Sequence, residues 1–258
     1  MTRIKQLLTM ALLLAVATTM SAQDKLFSLE DLNFGGTNYR RMLPKNMWLT
    51  WWGEQLMYQD AEEGGSIDAK GNRKVLFTLE EINKITADNG ITFHSAMNAS
   101  YPYPDQSLVL LDNGTERVLY DFKKKSVAWR QDSKGQLYAD WNKVSRAVAY
   151  VSDDQLYVTD GQGQTCHISD DGSREIVYGQ SVHRNEFGIE KGTFWSPDGQ
   201  RLAFYRMDQS MVTDYPQVNI FPRTATYEPD KYPMAGMTSH EVTVGVYDTA
   251  THKTIYLK

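Results

Sequence analysis

Charge gathers in one short run of this chain, His183-Arg184-Asn185-Glu186-Phe187-Gly188-Ile189-Glu190-Lys191-Gly192. Glu186, followed by an aromatic and a glycine, is the kind of carboxylate that holds a cation at the mouth of a pocket, such as the α-ammonium of a peptide. An ion pair in a partly desolvated site fixes a ligand's register because it pins one end. The same residues allow a plainer arrangement, with Glu186 paired to Arg184 or Lys191 on the surface, which stabilises little. Residue chemistry leaves both open. The run continues into Thr193-Phe194-Trp195-Ser196-Pro197-Asp198-Gly199, which reads as a strand entering a tight turn.

Signatures of bond-making chemistry are missing elsewhere in these residues. There is no Gly-x-Ser-x-Gly nucleophile elbow and no helical His-Glu-x-x-His. The five histidines lack zinc-ligand spacing, so the sequence calls for neither metal nor cofactor. Ser239-His240-Glu241 sets three triad-type residues side by side, but triad members converge from separate loops, so this reads as strand. Gly161-Gln162-Gly163-Gln164-Thr165 lacks the lysine of a phosphate loop and reads as a hairpin turn. Lys123-Lys124-Lys125 reads as a solvated turn. Cys166 is the one cysteine, which excludes an intramolecular disulfide; with no activating pattern around it, it reads as a packed strand residue. A net charge of −5 argues against a nucleic-acid partner.

The elements around the charged run are short strands. Leu108–Leu111 and Val118–Phe122 flank an Asn-Gly turn. Ala147–Val151 and Gln155–Thr159 flank Ser152-Asp153-Asp154, and Thr165–Ile168 extends that hairpin. Arg201–Tyr205 follows the Pro-Asp-Gly turn, and Val242–Asp248 pairs with Lys253–Leu257. A unit made of Trp, a polar turn and a strand ending in Ala plus an aromatic occurs at Trp141 and again at Trp195. A repeat of roughly 50 residues built from short strands favours a β-propeller over a β-sandwich. Thr78 and Glu81 have capping-box spacing, predicting a helix from Leu79 to Ala87, and Phe27–Leu32 predicts a shorter helical turn. Met207–Glu241, rich in Pro, Met and Tyr, is too long for a blade turn, and a structureless loop of that size implies function or a subunit contact. At the N-terminus, Arg3 and Lys5, the apolar Leu7–Thr18 and Ser21-Ala22-Gln23 read as a signal peptide over residues 1–22.

From Val182 to Pro197, again from Leu202 to Val212, and at Tyr232–Gly236 and His240–Tyr247, the chain resembles the dipeptidyl peptidase IV group of the prolyl oligopeptidase family. It looks most like the bacterial prolyl tripeptidyl peptidases. The resemblance implies an eight-bladed propeller followed by an α/β-hydrolase domain that carries the catalytic Ser, Asp and His. The expected fold is therefore all-β, a partial β-propeller made of the N-terminal blades over residues 23–258, with the hydrolase domain beyond Lys258 and no catalytic residue in this chain. Glu186 sits where the family motif places a propeller glutamate that grips the substrate's free N-terminus. Dipeptidyl members have two adjacent carboxylates there, whereas this chain has Asn185-Glu186, which resembles the tripeptidyl type. Arg130 follows Trp129 as a family arginine follows a tryptophan, but the surrounding blade does not align, and the role is not carried over.

The implied function is the propeller portion of an exported serine exopeptidase, periplasmic or at the cell surface, that releases Xaa-Pro dipeptides or Xaa-Xaa-Pro tripeptides. Its implied partners are a peptide with proline second or third, its own hydrolase domain and a second copy in a homodimer. By itself the chain is expected to be inactive. A non-catalytic peptide-binding propeller, a truncated gene product and a purely structural propeller are the other readings. Half a ring would also expose edge strands, so the isolated mature chain is expected to self-associate.

Overall fold

The computed structural model describes residues 26–44, 46–87 and 90–257, apart from the side chain of Arg184. The expected signal peptide, residues 1–22, lies outside them. The chain divides into two units between Asn46 and Met47. In the first, α1 (Leu29–Leu32) and α2 (Thr37–Met42) are short helices. Ser28 and Asp31 cap α1 reciprocally, each side chain accepting from the other's backbone N–H, which is why this stretch turns helical. No helix among the described residues is long and apolar enough to cross a membrane.

The second unit is built from antiparallel meanders in which spatial order follows chain order. The first comprises β1 (Trp48–Trp52), β2 (Gln55–Gln59), β3 (Glu63–Ile67) and β4 (Arg73–Thr78). It runs into α3 (Leu79–Thr86), which carries the predicted capping box between Thr78 and Glu81. The second comprises β5 (Leu108–Asp112), β6 (Glu116–Asp121) and β7 (Ser126–Asp132), with a bridge from Ser100 to Leu110 in the remaining position. The third comprises β8 (Leu137–Trp141), β9 (Val148–Ser152), β10 (Gln155–Thr159) and β11 (Thr165–His167). Asp153 and Asp154, both at positive φ, form the tight turn from β9 to β10, whose twist matches the strands it joins.

The fourth meander departs from this regularity. Its first position is shared by two short strands, β12 (Ile176–Tyr178) and β13 (Thr193–Trp195). Both pair with β14 (Arg201–Asp208), β12 with its far half and β13 with its near half. Residues 179–192 loop out between them. Tyr205 closes the neck of that loop, its carbonyl accepting from Gly179 N–H and its N–H donating to Gly192 O, each at 2.9 Å. A Cβ on Gly192 would collide with the backbone of Gln180, so the two sides of the neck approach only because residue 192 has no side chain.

Beyond β14 the chain does not form the structureless loop that its length and composition suggest. It makes a hairpin arm, in which β15 (Asp214–Tyr215) pairs with β18 (Asp230–Lys231) and β16 (Val218–Asn219) pairs with β17 (Thr226–Tyr227). The arm returns as β19 (Glu241–Asp248), fully paired with β14, and β20 (Lys253–Tyr256) ends the sheet. The excursion is ordered because its two limbs satisfy one another's backbone groups.

Neighbouring sheets share cores. Phe77, Ile82, Val109, Val118 and Tyr120 close one between the first sheet, α3 and the second sheet. Ala149, Leu156, Leu202, Phe204 and Tyr247 close another between the third and fourth. Each fully buried large apolar side chain contributes about 1.5–3 kcal/mol. Indoles stitch adjacent sheets, Trp129 Nε1 donating to Gly161 O (2.9 Å) and Trp195 Nε1 to Asp140 O (2.8 Å). The repeated turns also meet, since a Cβ on Gly199 would lie 2.7 Å from Asn142 Oδ1 and Ser145 Oγ. The Lys123–Lys125 turn is less idle than its charge suggests, because Lys125 Nζ reaches Leu76 O (2.9 Å) and Glu81 Oε2 (2.7 Å).

Phe204→Ala, at a fully buried position, is expected to cost about 3–5 kcal/mol in chemical denaturation. Gly192→Val is expected to split the neck with a smaller loss of global stability, and to raise amide hydrogen exchange at Tyr205 selectively. Protection at Tyr205 unchanged in that variant would show that the neck does not hold the loop.

Candidate functional site

The loop over residues 179–192 is shaped by a strained turn. His183–Asn185 make one turn of 3-10 helix, and Glu186 N–H donates to His183 O at 2.9 Å. His183, Asn185 and Phe187 have φ of 53°, 62° and 57°, so the left-handed region is occupied on both sides of Glu186. Asn and His adopt that region more readily than most side chains, which accounts for residues 183 and 185 without reference to a ligand. Phe187 adopts it at about 1–2 kcal/mol. Strain of this kind concentrates where a chain must present a group in one orientation. Ser181 Oγ fastens the loop from within, donating at 2.7 Å to Ile189 O.

The turn presents Glu186, which is exposed, to a cavity of about 330 Å³. The opposite wall comes from the arm, with Asp230, Lys231, Tyr232, Ser239 and His240, and the floor from Gln180, Met207 and Gln209. That volume lies at the lower end of small-ligand sites. Of the two surface partners weighed for Glu186, Lys191 is engaged elsewhere, its Nζ 3.0 Å from Asp140 Oδ2 of the third sheet. Thr193 Oγ1 donates to the same oxygen at 3.1 Å, so Asp140 clamps the outgoing side of the loop. Among the described side chains no cation lies within ion-pairing distance of the Glu186 carboxylate.

The arm wall is held by ions. Lys231, nearly buried, donates to Val212 O at 2.9 Å and lies 3.7 Å from both Glu175 and Asp214. Arg174 bonds Asp214 Oδ1 at 2.6 Å and Pro229 O at 2.9 Å, and Gln209 Nε2 reaches Arg174 O. The Arg174 guanidinium holds the Asp214 carboxyl below the usual carboxylate range. Lys231 is therefore part of the scaffold and faces an existing set of acceptors.

His240 is the cavity residue that sequence reasoning missed. Adjacency to Ser239 and Glu241 invited a triad reading, but Glu241 pairs with Asp208 in the β14–β19 ladder. His240 instead lies with its ring 5.2 Å from that of His183, and burial, assisted by His183, pushes its pKa below the ordinary histidine value. No local pattern announces this pairing, because the return register of the arm creates it.

Two other sequence-level candidates lie away from this cavity. Arg130 lines a separate cavity between the second and third sheets, 3.8 Å from Glu116. Cys166 is a partly buried strand residue, yet its surroundings are not inert. His252 Nδ1 sits 3.2 Å from Sγ, and the same nitrogen is 2.8 Å from the Tyr247 hydroxyl. The sequence reading missed this neighbour because it comes from the β19–β20 turn of the next sheet.

Comparison with known proteins places the fold and the family. Residues 113–258, more than half the chain, match the family model for the dipeptidyl peptidase IV (DPP IV) N-terminal region. A solved structure from Bacteroides ovatus, assigned as a dipeptidyl aminopeptidase IV, is 38% identical with a TM-score of 0.74, covering 91% of this chain and 32% of that one. Dipeptidyl peptidase 4 from Porphyromonas gingivalis shares the fold, with a TM-score of 0.63 at 18% identity over 91% of this chain and 35% of its own. A relative from Aspergillus flavus assigned as dipeptidyl peptidase 4 is 28% identical over 75% of this chain and 27% of its own length. The chain thus spans about a third or less of the relatives it matches. The open antiparallel meanders are blades of a partial β-propeller, and the chain belongs to the dipeptidyl peptidase IV family, matching its N-terminal region.

Proposed function

We propose that this chain is the substrate-anchoring propeller of an exported serine exopeptidase, and that Glu186 receives the α-ammonium of the peptide to be cut. The observation that carries the reading is an exposed carboxylate, unpaired among the described side chains, presented by a strained turn to a cavity of suitable size. Family membership supplies the chemistry, acyl transfer to a serine of a hydrolase domain. Glu186 contributes position: holding the amine at a set distance from the nucleophile makes the enzyme count residues from the N-terminus. The product is an Xaa-Pro dipeptide or an Xaa-Xaa-Pro tripeptide, and one carboxylate in place of two favours the longer measure. Asn185 supplies the left-handed backbone and, through its exposed amide, a polar neighbour for the first substrate residue.

In the full-length enzyme, Glu186→Gln is expected to raise KM and lower kcat/KM by about ten- to a hundredfold for peptides with a free N-terminus, the loss expected for a hydrogen-bonded charge. Labelling of the active-site serine by a small phosphonate should be unchanged. Equal losses on free and N-acetylated peptides would remove the anchor role.

The arm suggests a second copy as partner. Its tip exposes Val218, Ile220, Phe221 and Tyr227, with Phe221 95% exposed, a cluster of apolar surface that marks contact sites. Phe221→Asp should convert a dimer into a monomer in sedimentation experiments without altering the circular dichroism spectrum. A dimer that survives the substitution would put the contact elsewhere.

A further inference from the structure

An ammonium group carries three N–H donors, and one carboxylate in a fixed orientation satisfies one or two of them. Residue 185 offers no second carboxylate. The cavity must supply another acceptor if the anchor is to exclude water from the third donor. Lys231 is a donor committed to Val212 O, and Asp230 lies in the field of Arg174. Tyr232 stands beside them on the same limb, and Glu241, after His240, is drawn into the β14–β19 ladder. The turn itself brings His183 and Glu186. His240 is partly buried on the cavity wall, with its ring 5.2 Å from that of His183, and among the described residues neither of its ring nitrogens is hydrogen-bonded.

We propose that His240 is the second acceptor for the substrate ammonium, a ring nitrogen on the opposite cavity wall taking the part for which residue 185 offers no carboxylate. This rests on Glu186 being the ammonium anchor. The consequence is a pH dependence with a defined sign. An imidazole accepts only when neutral, and the surroundings of His240 hold its pKa below the usual value near 6.5, so the acceptor is present at neutral pH. As pH falls through that pKa the acceptor becomes a cation facing a cation, and peptide affinity falls. The peptide amine, with a pKa near 8, only gains protons as pH falls, so its own titration favours binding towards acid pH and cannot cause the acid-side loss.

The test is calorimetric titration of the full chain with a proline-containing pentapeptide, free or N-acetylated, between about pH 5.5 and pH 7.5. The unmodified chain should prefer the free peptide and lose that preference towards acid pH. His240→Ala should bind the free peptide about tenfold more weakly at the upper pH. His240→Gln keeps an acceptor that does not titrate, so it should bind within a few-fold of the parent and with a flat pH profile. A merely structural histidine would not produce that flattening. Proton NMR of the parent supplies a readout free of folding artefacts, since saturating free peptide should lower the His240 pKa and acetylated peptide should not. An unshifted His240, or parental pH dependence in His240→Gln, overturns the proposal. If Glu186→Gln abolishes amine preference while the His240 variants behave like the parent, this inference alone fails. If Glu186→Gln leaves the preference intact, or the parent shows none, the anchor reading fails with it.

Discussion

The interruption of one edge strand governs the site. In a regular meander the first strand of the fourth sheet would pair with β14 along its length. Here the pairing pauses at Tyr205, which bonds Gly179 on one side and Gly192 on the other, and the chain between them is expelled. The ladder resumes without losing its face, so β13 still delivers Trp195 to the third sheet. A loop closed at its base by two backbone bonds, and at its outgoing side by Asp140, can carry left-handed residues because the scaffold bears their cost. A freely hinged loop would relax them and lose the orientation of Glu186.

The second wall comes from the same sheet by a different route. Between β14 and β19 the chain leaves the blade as the arm, whose base is tied down by Arg174, Lys231, Glu175 and Asp214. These pairs are partly exposed and individually weak. Their value is geometric, because they fix where β18 and the approach to β19 stand relative to the strained turn. Both walls spring from strands that pair with β14, so the β14 ladder sets the frame in which Glu186 and His240 face one cavity, and Asp140 of the neighbouring sheet clamps the loop within it.

Much of this fold was legible beforehand. The hairpins at Asn113-Gly114 and Asp153-Asp154, the Trp-turn-strand repeat and the capping box before α3 are local devices, each set by residues within a few positions of one another. The arm was not legible, because Met207–Glu241 has little strand periodicity and its ladders are only two residues long. Lys125 does lie in an exposed turn and Cys166 in a strand, but their partners were not legible, because Glu81, Leu76 and His252 reach them from far along the chain.

Sequence by itself determined that the chain is all-β, that its strands repeat as blades, and that Glu186 stands in a run specific to one family, since these depend on residue type and spacing. It left open whether Glu186 pairs with Lys191, and it had no means of placing His240. Both were decided in three dimensions. Lys191 is drawn to Asp140 of the neighbouring sheet, and the register of an antiparallel arm carries His240 back to His183. Local energies choose turns and strands, whereas long-range strand pairing decides which side chains share a cavity.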